Sequence, residues 1–397
     1  MGPTAPNQSR LRAMTEAIDR RTVLIGAAGL GVATAALAGA TPFLATPARD
    51  APAVTGDGPS LRVRADRKGL LCGSEINRFS LARTPEVTAA LIRDCNIIVP
   101  GLELKWNRVQ PTRDGPLQFA PAEAIWKLAA ANRMAMRGHN LTWYRAQPAW
   151  AKDTVAALSP GAAGDMLAGY ARAVVGHWRG RIAHWDVTNE PVDGDGNLTD
   201  PLWAPKLGEG YMDIAFRAAH EADPGALLTL NIEAIEQDTP WQEKHRTAAL
   251  KLMERLVARG VPVQALGIEG HVSTLYGFSE ARYRRFLDEV SALGLKLLVT
   301  ELDVTENGTL GDVAVRDAAA AALAKALLDV TLSYRNCLGL LTWGQSDRDS
   351  WLRTPEGASK QRNDGQPLRP NPLDDDFVRK PLWYAIAAAI DGAPARA

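Results

Sequence analysis

The sequence predicts an α/β fold, a closed (β/α)8 TIM barrel, as a single domain behind an N-terminal export signal. Eight short apolar runs recur along the chain, separated by segments with helical periodicity. Strands alternating with helices imply parallel strands joined by crossover connections. Eight such units over roughly 340 residues suit a closed barrel better than an open sheet. No Gly-rich phosphate loop follows the first run, which argues against a nucleotide-binding fold.

The runs are Leu71–Ile76, Ile97–Gly101, Ala135–Leu141, Ile182–Asn189, Leu227–Glu233, Ala265–Val272, Lys296–Val304 and Leu338–Gly344. Helical segments between them include Ala122–Ala131, Gly164–Trp178, Met212–Ala222, Thr247–Arg259, Glu280–Leu293 and Val315–Leu332. A barrel of this kind collects its chemistry at the C-terminal ends of the strands, so polar residues should close the apolar runs. They do. The fourth run closes on Thr188-Asn189-Glu190, the sixth on Glu269-Gly270-His271 and the seventh on Glu301-Leu302-Asp303. The eighth closes on Trp343-Gly344-Gln345, and the third on His139-Asn140 before reaching Trp143.

Composition narrows the function. Of 397 residues 46% are hydrophobic, enough for a large core, and Lys plus Arg equals Asp plus Glu at 45 each. That balance gives no footprint for nucleic acid or an anionic membrane. Eleven Trp against seven Phe suits stacking on sugar rings, although single tryptophans serve cores equally well. Cys72, Cys95 and Cys337 lack metal-ligand spacing and sit by apolar runs, which reads as buried free thiols; a Cys72–Cys95 bond is the alternative.

Residues 1–48 form a leader. Arg20–Arg21 precede a stretch from Thr22 to Ala48 without charge, and small residues surround Ala38-Gly39-Ala40. The pair resembles a twin-arginine signal, with Asp19 and Val23 as departures, and implies export to the periplasm or beyond. An uncleaved membrane anchor is the alternative, weakened by the glycines and Pro42. Residues 49–65 read as a linker and 66–397 as the catalytic domain, acting as a monomer without stable membrane association.

Glu190 and Glu301 end the fourth and seventh runs, which face each other across the mouth of an eight-stranded barrel. Two such carboxyls suit glycoside hydrolysis: one protonates the leaving oxygen while the other faces the oxocarbenium-like transition state. At roughly 5 Å apart the second attacks directly and configuration is retained.

Trp185-Asp186-Val187-Thr188-Asn189-Glu190-Pro191 resembles the acid/base signature of glycoside hydrolase family 10, the β-1,4-xylanases, and Val299-Thr300-Glu301-Leu302-Asp303-Val304 resembles its nucleophile strand. Similar matches are Gly138-His139-Asn140-Leu141-Thr142-Trp143, Trp343-Gly344 through Asp347, Ser350-Trp351, Lys105-Trp106, and Lys380-Pro381 with Tyr384. They run in family order from about residue 70 to 390. The resemblance implies a retaining endo-β-1,4-xylanase with Glu190 as acid/base and Glu301 as nucleophile, needing neither metal nor cofactor. It implies that Asn189 bonds the sugar 2-OH and that His271 bonds Glu301 while Asp303 orients it. His139, Trp143, Trp343 and Trp351 would wall the subsite, and Lys105 would reach sugar hydroxyls. The partner would be a β-linked polysaccharide or oligosaccharide.

Departures limit that inference. The family's Glu-Asn pair after strand two is Gly101–Leu102 here, so hydrogen bonds to the glycone are lost. Strand five ends Asn231-Ile232-Glu233-Ala234 instead of Asn-Asp-Tyr-Asn, and Glu269 stands where the family has Gln. A second carboxylate beside Glu301 should raise one of the two pKa values, and Glu269 is expected to stay protonated and donate as Gln would. Two further readings are a carbohydrate-binding protein that has lost catalysis and a β-glycosidase for another β-linked glycan. A metal-dependent hydrolase is disfavoured because the first run ends Glu75-Ile76-Asn77, without paired histidines. Asp193-Gly194-Asp195-Gly196-Asn197 resembles the start of a calcium loop, but Leu198 stands where Gly is needed, which favours a solvated turn.

Overall fold

Branched and large apolar side chains fill the eight runs because they suit a pleated surface covered on both faces. In the computed structural model, which describes residues 58–396, these runs become parallel strands. They are β1 (Leu71–Ile76), β2 (Ile97–Pro100), β3 (Ala135–Thr142), β4 (His184–Asn189), β5 (Leu227–Ile232), β6 (Ala265–Ile268), β7 (His271–Ser273), β8 (Lys296–Thr305) and β9 (Cys337–Thr342). Neighbours pair in sequence order, β6 pairs with β8, and β9 returns to β1, so the sheet closes into a barrel.

The sixth run differs from its expected form. Gly270, at φ 77°, turns the chain between β6 and β7. Only glycine enters that left-handed region without strain. The break lets His271 pair with Asp303 across β7 and β8.

Several helices begin earlier than their apolar periodicity suggests. Ser159 and Thr239 cap Pro160–His177 and Pro240–Ala258, with proline at the first helical position in each. A hydroxyl cap followed by proline fits a helix start, because the first N–H groups have no partner within the helix. The linker also ends sooner than residue 65. Leu61–Lys68 is a helix capped by Ser60, with Leu61 and Ala65 buried. Leu61 N donates to buried Asp94, which also accepts from Trp383 Nε1, so this helix is fastened to the barrel. The leader and the first part of the linker lie outside the described residues.

Two hydrophobic layers result. The larger one lies between strands and helices. A smaller one, built on Ile97, Val99, Leu298, Leu341 and Trp343, gathers residues from β2 and β8 and from the end of β9. Cys72, Cys95 and Cys337 are buried and free. Asp193 Oδ1 accepts from Asp195 N and Asn197 N, so that segment is a self-bonded turn. Among the described residues no helix is long and apolar enough to cross a membrane.

Candidate active site

The C-terminal ends of the strands bring the expected polar residues together. Glu190 follows β4 with φ 49°, a left-handed conformation that costs a non-glycine residue on the order of 1–3 kcal/mol. Its backbone is held there from both sides: Glu190 N donates to Asn231 O at 2.9 Å, and Thr199 Oγ1 donates to Glu190 O. Its Oε2 is buried without a hydrogen-bond partner among the described residues, 3.8 Å from Arg145 Nε. Asn189 Nδ2 donates to Oε1 at 3.3 Å.

Glu301 lies in β8 inside a cage of donors. Asn231 Nδ2 donates to its Oε1 at 2.8 Å, and His139 Nδ1 stands 3.7 Å from the same oxygen. His271 Nε2 lies 3.4 Å from Oε2, while its Nδ1 lies 2.9 Å from Asp303 Oδ1. Asp303 Oδ2 accepts from Trp351 Nε1 at 2.7 Å. One carboxylate therefore faces both the histidine and the tryptophan. Beneath them a buried ion pair joins Arg137 to Asp186, and Asp186 Oδ2 also lies 3.0 Å from His139 Nδ1.

The aromatic wall assembles as well. Trp343 meets the His139 ring edge-on at 5.1 Å, and Trp351 lies 5.4 Å from His271. Lys105 Nζ sits 4.6 Å over Trp143, a cation–π contact that fixes the ammonium at the mouth. Burial lowers the Lys105 pKa, opposed by Glu301, Glu75 and Glu190, so the lysine shares one field with both Glu190 and Glu301.

These surroundings push the two glutamates apart in acidity. Burial and the neighbouring Glu233 raise Glu190 to about 7, against the pull of Arg145. Burial would raise Glu301 too, but His139, His271 and Arg137 more than offset it and hold the carboxyl at about 2. Near pH 5 one glutamate is a proton donor and the other an anion. A pair of carboxyls separated in this way supplies the proton donor and the anion that glycoside hydrolysis needs.

A family model for glycosyl hydrolase family 10 matches residues 60–389. The chain belongs to glycosyl hydrolase family 10. An endo-1,4-β-xylanase C of Phanerodontia chrysosporium is 30% identical over 73% of this chain and 68% of that one. An endo-1,4-β-xylanase B of Thermotoga neapolitana is 28% identical over 82% and 90% respectively. Native xylanase 10B of Thermotoga maritima superposes with a TM-score of 0.73 at 28% identity, covering 84% of this chain and 98% of that one. Xylanase 10B of Thermotoga petrophila, solved with xylobiose, gives 0.73 at 27% identity, covering 85% and 98%.

Against that family background the unusual Glu269 becomes interpretable. It is buried, and one oxygen each from Glu190, Glu233 and Glu269 lie within 4.8 Å of one another. A second cluster of the same span joins Glu269, His271 and Glu301. Burial, then Glu301 and Glu190, raise the Glu269 pKa well above the carboxylate range. A protonated Glu269 presents one O–H and one acceptor, as a Gln side chain presents N–H and carbonyl. Asn231 Nδ2 donates to its Oε1 at 3.1 Å, leaving the proton for Oε2.

Burial disfavours charge on His271, yet Asp303 and Glu301 more than reverse this and raise its pKa well above the ordinary histidine value.

Glu269→Gln is therefore expected to move the alkaline limb of the pH–activity profile upward, because the variant cannot lose the proton that wild type must keep. Stability should follow the same sign. The folded state keeps a proton that the unfolded chain releases above about pH 4.3, so wild type loses stability as pH rises toward the folded-state value, whereas the variant does not. Thermal unfolding at several pH values, together with kcat/KM profiles, measures both. Superimposable wild-type and variant profiles would reject a protonated Glu269.

Sequence reasoning missed Asn231. Its amide reaches Asn189 Oδ1 at 2.7 Å as well as Glu269 and Glu301, and its Oδ1 accepts from Thr300 Oγ1 at 2.8 Å. The signal was present, since Asn231 lies near the end of its apolar run just as Asn189 does. Arg137 escaped notice for another reason. It lies inside a strand, away from the rim, and only the fold shows its partner Asp186 on the next strand.

Proposed function

We propose that the chain is a retaining endo-β-1,4-xylanase that cleaves xylan by double displacement. The observation carrying this reading is the protonation of the pair: Glu190 raised to about 7 and Glu301 held at about 2 on one rim. Glu301 attacks the anomeric carbon while Glu190 protonates the departing oxygen. Glu190, now ionised, then takes a proton from the water that releases the glycosyl–enzyme. The xylanases among its relatives and the xylobiose complex of a structural neighbour support a β-1,4-xylose chain as substrate.

The test is hydrolysis of β-1,4-xylo-oligosaccharides followed by NMR, with gluco-oligosaccharides alongside. Expected first products are β-anomers from internal cleavage of the xylose chain. α-Anomers, or binding without turnover, would refute the proposal, and faster cleavage of the gluco series would redirect it to another β-glycan. We further propose export by the twin-arginine route, supported by Arg20–Arg21 before the uncharged stretch Thr22–Ala48.

A further inference from the structure

Gly101 has no side chain, yet the space that one would fill is occupied. Side chains along a strand repeat every two residues, so Leu71, Gly73 and Glu75 share one face of β1, and Ile97, Val99 and Gly101 share one face of β2 and its continuation. Leu71, Ile97 and Val99 belong to the smaller hydrophobic layer, which places Glu75 and Gly101 above it on the same side. The strands are in register at Glu75 with Val99 and Ile76 with Pro100, and Gly101 N donates to Ile76 O at 3.0 Å.

A Cβ at Gly101 would stand 2.2 Å from Glu75 Oε1 and 2.6 Å from Glu75 Cγ, and the three nearest atoms all belong to Glu75. Gly101 is not among the glycines with positive φ, so its backbone would accept another residue. What excludes a side chain there is Glu75. The carboxylate is half-buried, and among the described residues Asn77 Nδ2, at 3.2 Å from Oε1, is the one side-chain donor to it. That leaves acceptor positions unfilled. Burial lifts its pKa to about 7, with Glu103 and Glu301 also raising it and Asn77 and Lys105 lowering it.

Gly101 stands where the family resemblance places a glutamate that bonds the glycone, the part of the sugar chain held on Glu301. Glu75, whose carboxyl occupies the space over Gly101, therefore borders that part. We propose that Glu75, reaching from the neighbouring strand into the space above Gly101, is the specificity-determining carboxylate that grips adjacent glycone hydroxyls together with Lys105. It takes the place of the acidic side chain that Gly101 lacks. The inference rests on the reading of the chain as a β-1,4-glycan hydrolase.

The experiment is a carboxylate swap. Wild type, Glu75→Ala, Gly101→Glu and the double variant Glu75→Ala/Gly101→Glu are compared by kcat/KM on β-1,4-xylo-oligosaccharides, with thermal unfolding of each. Loss of a hydrogen-bonding carboxyl should lower kcat/KM of Glu75→Ala on the order of 10–100-fold. Gly101→Glu alone should also lose activity, because two carboxyls compete for one space. The double variant should recover to within about threefold of wild type, a non-additivity expected only of side chains that share a site. The proposal is overturned if Glu75→Ala stays within about twofold of wild type, or if the double variant unfolds normally yet does no better than Glu75→Ala. Should an alanine variant fail to fold, the isosteric Glu75→Gln decides by calorimetric Kd at pH 8 in the Glu301→Ala background, where the carboxyl at position 75 is ionised: about tenfold weaker binding supports the role and unchanged binding overturns it. If wild type ignores xylo-oligosaccharides, the proteins are ranked on the β-1,4-gluco-oligosaccharide it cleaves or, failing cleavage, by calorimetric Kd for both series. Loss of the xylan reading is thereby separated from loss of the Glu75 assignment.

Discussion

Glu301→Ala should lower kcat for xylo-oligosaccharides on the order of 10⁴–10⁶-fold, the scale seen when a catalytic nucleophile is deleted from a covalent mechanism. The site is built around this one anion. Asn231 donates to it directly, and His139 and His271 flank its two oxygens. Removing the carboxylate leaves those groups aimed at a void, so no neighbour can take over the attack. Glu269 is the nearest substitute, but burial and its acidic neighbours keep it protonated and therefore a poor nucleophile. Binding should survive, since the aromatic wall and Lys105 are untouched. The measurements are steady-state kinetics and calorimetry on the same variant. Residual turnover above about one per cent would show that Glu301 is not the nucleophile.

Glu190→Ala should cost about 10²–10⁴-fold on natural oligosaccharides and much less on aryl glycosides with acidic leaving groups. Such leaving groups depart without a proton, so the first step proceeds and the glycosyl–enzyme accumulates for want of a base. A burst of aglycone followed by slow turnover is the expected trace. The pH dependence changes as well. In wild type the acidic limb of kcat/KM belongs to Glu301, near 2, and the alkaline limb to loss of a proton from Glu190, near 7, or from Glu269, because the nucleophile must be ionised while both neighbours hold their protons. In Glu190→Ala the part of the alkaline limb that Glu190 sets should disappear on activated substrates. An unchanged limb would transfer the acid role to another group in the cluster, with Glu233 and Glu269 the nearest candidates.

Most of the barrel was legible because its signals are local. Apolar runs of strand length alternate with helical periodicity, and polar residues close the runs on the side where the active rim forms. Glu190, Glu301, His271 and Asp303 could be named on that basis. Two helices start ahead of their apolar periodicity, at the caps Ser159 and Thr239. The sixth strand looks continuous in sequence because the turn at Gly270 leaves the hydrophobic pattern intact on both sides.

The sequence by itself determined the fold class, the acidic pair and the substitution of Glu269, since each depends on residue type and position along one strand. Tertiary structure alone decided which groups share a field. Asn231 bridges Asn189, Glu269 and Glu301 from a different strand, Arg137 meets Asp186, and Glu75 fills the space of Gly101. Glu75 and Gly101 are 26 positions apart in the chain, so no local pattern couples them. Contacts between neighbouring strands depend on register and closure. Those are fixed by packing of the whole barrel rather than by any one segment.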